Sequence, residues 1–166
     1  MYRFLILNIL IITAALAEVD KKECEKIFDP RATRCCKKTS ALLDKFMKSK
    51  DIQECFQVIM DPALCEQDLC IATKRGFATD DKKIDTRKFE EIMTKGLGPD
   101  ANLMKDLKLN CLTGDLDKYG PPEFCDFFKM RKCCSVQMLK HCPEWNTNDN
   151  CTEIKELVQE CGKSLM

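Results

Sequence analysis

Thirteen cysteines stand in a chain of 166 residues, and thiols at that density are read first as cross-links. They fall at positions 24, 35, 36, 55, 65, 70, 111, 125, 133, 134, 142, 151 and 161. Structural zinc sites draw their ligands from closely spaced pairs of cysteine, or of cysteine with histidine. Cys65 and Cys70 reach the upper limit of such a spacing, but the lone histidine, His141, leaves no second pair to complete a site. The chemistry expected of these residues is therefore disulfide formation, with no metal and no cofactor. An odd count leaves one thiol over, to stay free or to pair between chains, and the sequence does not say which.

Other reactive arrangements are incomplete. There is no G-x-S-x-G elbow and no H-E-x-x-H helix. Secreted phospholipases place a histidine–aspartate pair just after a double cysteine. Here Cys133-Cys134 is followed by Ser135-Val136-Gln137-Met138, and His141 is followed by Cys142. Without a base and its orienting partner, no catalytic residue is assigned and the protein is not expected to be an enzyme. Asp115, Asp117, Tyr119, Gly120 and Asp126 fall at positions 1, 3, 5, 6 and 12 of a calcium loop. Tyrosine is a poor fifth ligand and Pro121-Pro122 would distort that loop, so a turn rich in helix-capping groups is expected instead. Asn150-Cys151-Thr152 meets the N-glycosylation rule, although a bridge at Cys151 would constrain its backbone.

The elements that position these residues read as helices. Arg3, the apolar run Phe4 to Leu16 and Ala15-Leu16-Ala17 form a secretory leader, with cleavage expected after Ala17. The run is shorter than the roughly 20 apolar residues that span a bilayer. A single disulfide-rich domain is then expected over 18–166, with 26 basic and 27 acidic groups. That balance gives no field to gather nucleic acid. An oxidising, extracellular compartment follows, and there cysteines pair. Apolar residues recur at helical spacing at Leu42/Leu43 with Phe46/Met47, and at Ile52 with Cys55/Phe56. Asp61-Pro62 reads as a cap and first helical residue of a helix stopped by Gly76. Asp85 caps a helix through Phe89, Ile92 and Met93 that ends at Gly96. Asp100 opens another, with Leu103, Met104, Leu107 and Cys111 on one face. The longest pattern runs Phe124, Phe127/Phe128, Arg131, Cys134, Met138 and ends at Pro143. A last helix, capped by Asp149 or Asn150, carries Ile154, Leu157, Val158 and Cys161. No segment alternates as a strand would. The class is all-α: one compact domain of about seven short helices, joined by short loops.

Neighbours on a helix point about 100° apart, so Cys35-Cys36 and Cys133-Cys134 should each staple two different elements. Six bridges at about 2–4 kcal/mol each would outweigh the net stability of an ordinary domain. Such a scaffold tolerates a hollow interior, whose cost the staples offset.

Four residues separate Cys65 from Cys70, 40 precede Cys111, 13 precede Cys125 and eight precede Cys134. With Cys36 or Cys35 as the first member, this resembles the six-cysteine frame of insect odorant-binding proteins. The extra cysteines, the Cys142-Pro143 step, and Cys151 and Cys161 beyond it resemble the Plus-C subfamily. One departure is the four-residue gap Glu66 to Leu69, where the family usually has three. The resemblance implies pairing of Cys36–Cys70, Cys65–Cys125 and Cys111–Cys134. Cys24, Cys35, Cys55, Cys133, Cys142, Cys151 and Cys161 would then share three further bridges and one free thiol. It also implies a helical fold around an apolar cavity that carries small hydrophobic molecules, of odorant or pheromone type, through aqueous lymph to a membrane receptor.

The residues that would line such a cavity are Phe46 and Phe56; Phe89, Ile92 and Met93; Leu103, Met104 and Leu107; and Phe124, Phe127, Phe128 and Met138. Phenylalanine gives apolar walls and methionine adapts to irregular shapes. Each residue taken singly also fits plain core packing. A monomer or weak dimer is expected. The competing expectation is a secreted, disulfide-stapled interaction protein, toxin-like or inhibitory, that acts through its surface.

Overall fold

The computed structural model describes residues 21–39, 49–97 and 100–162. The expected leader and Phe46 lie outside them. Seven helices are delimited within the described residues: α1 (Lys21–Cys24), α2 (Lys50–Gln53), α3 (Glu66–Arg75), α4 (Thr86–Leu97), α5 (Ala101–Leu107), α6 (Asp126–Lys140) and α7 (Asp149–Cys161). Single 3₁₀ turns follow α1 and α2, and others lie at Ala32–Cys35 and Leu116–Tyr119. Among the described residues, β-type pairing is confined to the isolated bridges Cys36–Trp145 and Ala78–Ile84. The domain is all-α, and no described helix is long and apolar enough to cross a membrane.

Local chemistry sets most of the boundaries. Asp85 accepts from the Lys88 amide, and Asp100 accepts from the Leu103 amide, so both cap as the sequence predicts. Gly76 ends α3 with φ +78°, the left-handed conformation that glycine adopts without a Cβ penalty. Two boundaries differ from expectation. Asp61 does not open α3; its carboxylate accepts from the Ala63 and Leu64 amides and closes a turn. Cys65, at φ +62°, then breaks the path before the helix starts at Glu66. The last helix is capped by Asn148, which accepts from the Cys151 amide, one residue before the earliest cap predicted.

Helix α6 is the axle of the fold. Phe127, Phe128, Met130, Cys133, Cys134, Val136, Gln137 and Leu139 are all buried, as is Lys129, whose ammonium reaches Asp117. A helix buried on this many sides belongs at the centre of a domain. Arg131, at 2.7 Å from Asp68, ties it to α3, and α5 and α7 pack along it.

Six disulfides close the structure: Cys24–Cys161, Cys35–Cys151, Cys36–Cys142, Cys55–Cys70, Cys65–Cys125 and Cys111–Cys133. Two pairings implied by the family resemblance are replaced. Cys36 does not meet Cys70. The Cys36–Trp145 bridge and the Lys37 amide on the Glu144 carbonyl carry it to Cys142, 5.7 Å away between Cα atoms. Cys55 takes Cys70 instead, at 5.6 Å, where α2 and the 3₁₀ turn after it pack along α3. Cys111 bonds Cys133 rather than Cys134. A π turn at Lys108–Leu112 changes the angle at which Cys111 leaves α5, and Cys133 and Cys134 are about 100° apart on α6. Cys134 is the thirteenth cysteine, free and buried.

Chain entropy sets what each staple adds while the other five remain. Cys24–Cys161 spans 137 residues, but Cys35–Cys151 already spans 116 of them, so the outer bridge closes only about 20 further residues, close to the 15 closed by Cys55–Cys70. Replacing either pair by Ala is expected to cost about 3 kcal/mol in urea unfolding. A loss at Cys24–Cys161 that exceeds the loss at Cys55–Cys70 by about 2 kcal/mol or more would contradict this nesting.

Candidate functional site

The expected lining residues do not form one surface; the structure divides them. Phe89, Leu103, Leu107, Phe127 and Phe128 are buried in the core, while Ile92, Met93, Met104, Phe124 and Met138 are half-buried and pack against it. Phe56 is exposed on the loop after α2.

Two of the buried residues, Phe89 and Phe127, belong to a trio of rings completed by Phe77. Phe89 and Phe77 meet edge to face at 5.2 Å between centroids, and Phe77 lies 6.4 Å from Phe127. Three elements supply the trio: α4, the loop after α3, and α6. Phe77 was not among the expected lining residues, yet a signal for it exists. It follows Gly76, and its amide donates to the Ala72 carbonyl, completing the helix-ending motif in which the residue after glycine packs back on the helix. The loop from Phe77 returns through the Ala78–Ile84 bridge, and the Asp85 amide donates to the Phe77 carbonyl at 2.8 Å. That bond sets the start of α4 beside the ring it covers. Among the described side chains of α4, Phe89 alone is buried; Ile92 and Met93 are half-buried, and Glu90 pairs with Lys108 of the π turn. Helix α4 therefore joins the aromatic trio through Phe89, and its Ile92 and Met93 pack against the core while half-exposed.

A second ring cluster joins the buried Phe128 to the half-buried Phe124, elsewhere on α6. Phe124 and Phe128 meet edge to face at 5.3 Å, and the Lys132 ammonium lies 4.9 Å from the Phe128 ring, 5.0 Å from Phe28 and 5.6 Å from Phe124. Arg131 stacks on Phe128 as well. Burial, and then the neighbouring Arg131 charge, push the Lys132 ammonium below its usual range, with Glu25 opposing. Phe127 and Phe128 thus serve different surroundings, as adjacent helical positions must.

The interior also holds a polar spot. Gln137 is wholly buried, and its amide donates to the Tyr119 hydroxyl at 3.3 Å, while its carbonyl oxygen has no partner among the described residues. Burial pushes the Tyr119 phenol up, against the Gln137 hydrogen bond. Burial also pushes the Cys134 thiol up to about 12. A thiol so hard to ionise is no nucleophile at neutral pH. Asp115 and Asp117 of the degenerate calcium loop are engaged elsewhere: Asp115 accepts from the Asp117 amide and Asp117 holds Lys129. His141 sits at the end of α6, its Nε2 at 2.9 Å from Asp106, away from both aromatic groups. Open depressions lie on the outer faces of α3 and α4, the first lined by Glu66, Leu69, Cys70, Thr73 and Lys74, the second by Arg87, Glu90, Glu91, Thr94 and Lys95. They do not gather the expected residues.

Comparisons with family models, curated proteins and solved structures return no match.

The buried thiol gives a direct test of this interior. The folded protein should not react with a thiol reagent near pH 8, and unfolding it without reductant should expose one thiol per chain. Three or more would contradict the six-bridge frame. The thiol keeps its proton to about 12 when folded and to about 9.0 when unfolded, so ionisation favours the unfolded chain as pH rises through that window. Stability to urea should fall across it, and less steeply in Cys134→Ala.

Proposed function

We propose that this protein is a secreted carrier that reversibly binds a small hydrophobic molecule and moves it through an aqueous fluid to a membrane receptor. The observation that carries the reading is the aromatic trio Phe77, Phe89 and Phe127, to which α4 gives Phe89, with Ile92 and Met93 of the same helix half-buried against the core. Apolar chains left half-covered against the core are the surface an apolar ligand would complete. The pairing order adds support. Among Cys55, Cys65, Cys70, Cys111, Cys125 and Cys133, the first bonds the third, the second the fifth and the fourth the sixth. The odorant-binding resemblance implies that order, with Cys55 and Cys133 in place of Cys36 and Cys134.

The ligand's seat is then the junction of α4 with α6, entered by lifting α4 from its contact at Phe89. A ligand of about ten to twenty heavy atoms at roughly 0.3–0.5 kcal/mol per atom approaches about −8 kcal/mol, or micromolar affinity, without any charged contact. Burial of apolar surface at about 25 cal/mol per Å² supplies it. Micromolar binding also permits release, which delivery requires.

Displacement of an environment-sensitive apolar dye by a panel of terpenoids and aromatics tests the reading. Phe89→Ala and Phe127→Ala should each weaken displacement at least tenfold, whereas Phe128→Ala, among the Lys132 rings, should change it little. Unchanged affinities in the first two variants, with helicity intact, would mean that these rings are core and not a ligand seat.

A further inference from the structure

Of the lysines whose side chains are described, Lys129, Lys132 and Lys140 are not exposed. Lys129 pairs with Asp117, and Lys140 lies 4.0 Å from Asp106. Lys132 has no such partner. Its ammonium lies within 5.6 Å of three ring centroids, those of Phe28, Phe124 and Phe128. Among the described residues it meets neither a carboxylate at ion-pair distance nor a hydrogen-bond acceptor. Ring faces stabilise the charge but are weak acceptors for its N–H groups. The group is not sealed in: the Lys140 Nζ is fully enclosed, and the Lys132 Nζ is not. Phe28 and Phe124 are themselves half-buried. Both are pinned. Phe28 meets Tyr119 edge to face at 6.4 Å and ends the turn after Cys24, which bonds Cys161. Phe124 precedes Cys125, which bonds Cys65. Glu25, on the turn that carries Phe28, acts on the ammonium from beyond ion-pair distance. A positive charge without an anion therefore stands between two partly open apolar walls.

We propose that Lys132 anchors a second ligand site, which takes a small monocarboxylate with an apolar tail, its carboxylate on the ammonium and its tail against Phe28 and Phe124. A charge-assisted hydrogen bond supplies the acceptor that the rings lack. The tail removes partly open ring surface from water. Burial and the Arg131 charge already disfavour the ammonium, so an anion brought to it relieves a cost that the free protein carries. A neutral ligand would cover the ammonium without pairing it, and a cation would be repelled. Phosphates and nucleic acids bring several charges and are held by several cations. Here the neighbouring Arg131 guanidinium is committed to Asp68 at 2.7 Å, which leaves one available positive charge. Pinning of both walls by cystines lowers the ordering cost of binding. The site is independent of the carrier reading, since Phe77, Phe89, Ile92 and Met93 take no part in it.

Octanoate and 1-octanol share a chain length and differ in charge, so calorimetric titration of the full oxidised protein with each, near neutral pH, tests the site. Octanoate should bind one to one with submillimolar affinity, and added salt should weaken it but not 1-octanol. Lys132→Met should weaken octanoate about tenfold or more, the worth of one charge-assisted hydrogen bond, and leave 1-octanol unchanged. Lys132→Arg should keep octanoate binding, and Glu25→Gln, at an exposed position, should strengthen it. Phe89→Ala, which perturbs the carrier seat, should leave octanoate unchanged, so the two readings can fail separately. No octanoate binding at millimolar concentration would overturn the inference. So would equal loss of both ligands in a Lys132→Met protein that retains its helicity and single free thiol, or octanoate affinity that this variant leaves unchanged. Should Lys132→Met fail to fold, Glu25→Gln decides, and an unchanged or weakened octanoate affinity there would contradict the assignment.

Discussion

Covalent closure around one helix is the constraint on which the rest of this structure depends. Three bridges grip α6 at its cap, its middle and just past its end: Cys65–Cys125, Cys111–Cys133 and Cys36–Cys142. Two more, Cys24–Cys161 and Cys35–Cys151, lash the N-terminal turns to α7. Helices α1 and α2 have four residues each, and helices that short are far below the length that persists alone in water. Their single turns hold because cystines at Cys24 and Cys55 fix them on longer helices. Hydrophobic burial still drives the collapse, but the bridges remove so much freedom from the unfolded chain that the native packing need not be perfect. Half-buried apolar chains at Ile92, Met93 and Met104 are a tolerable consequence.

The same closure separates two kinds of chemistry. Inside, reactivity is suppressed: the free Cys134 is buried and hard to ionise, and the Tyr119 phenol is likewise held protonated. What the interior offers a partner is apolar surface, with one unpaired amide oxygen at Gln137. Outside, two cystines clamp the segment from Cys55 to Cys65, which carries the exposed Ile59. The staples are unevenly distributed along the chain. Helix α4, from Thr86 to Leu97, contains no cysteine; the Cys55–Cys65 segment has one at each end.

Class, cross-link count and most caps were legible in the residues, for reasons that can be named. Helical periodicity is written in the apolar spacing of α5, α6 and α7, while Gly76, Asp85 and Asp100 signal the end of α3 and the starts of α4 and α5 through φ and local hydrogen bonds. Thirteen cysteines dictate at most six intrachain bridges. Of the three pairings the resemblance implies, Cys65–Cys125 is observed and the other two are not, because partner choice depends on tertiary geometry. The Trp145 segment draws Cys36 toward Cys142, and the angle at which a π turn presents Cys111 decides between two adjacent thiols. The start of α3 was misplaced for a similar reason: Asp61-Pro62 is a sound local signal, but the Cys65–Cys125 bond and the Cys125 amide on the Pro62 carbonyl claim that segment for another role. Phe127 and Phe128 were grouped by hydrophobicity and divided by helical phase. Phe77 was overlooked because it lies between helices.

Native mass spectrometry of the oxidised protein, titrated with the same apolar panel, tests the central claim most directly. The account predicts a mass lighter by two hydrogens for each of the six bridges, and a one-to-one non-covalent complex with apolar molecules that is lost on unfolding. A protein that carries its six bridges and stays ligand-free across the whole panel at tens of micromolar would contradict it.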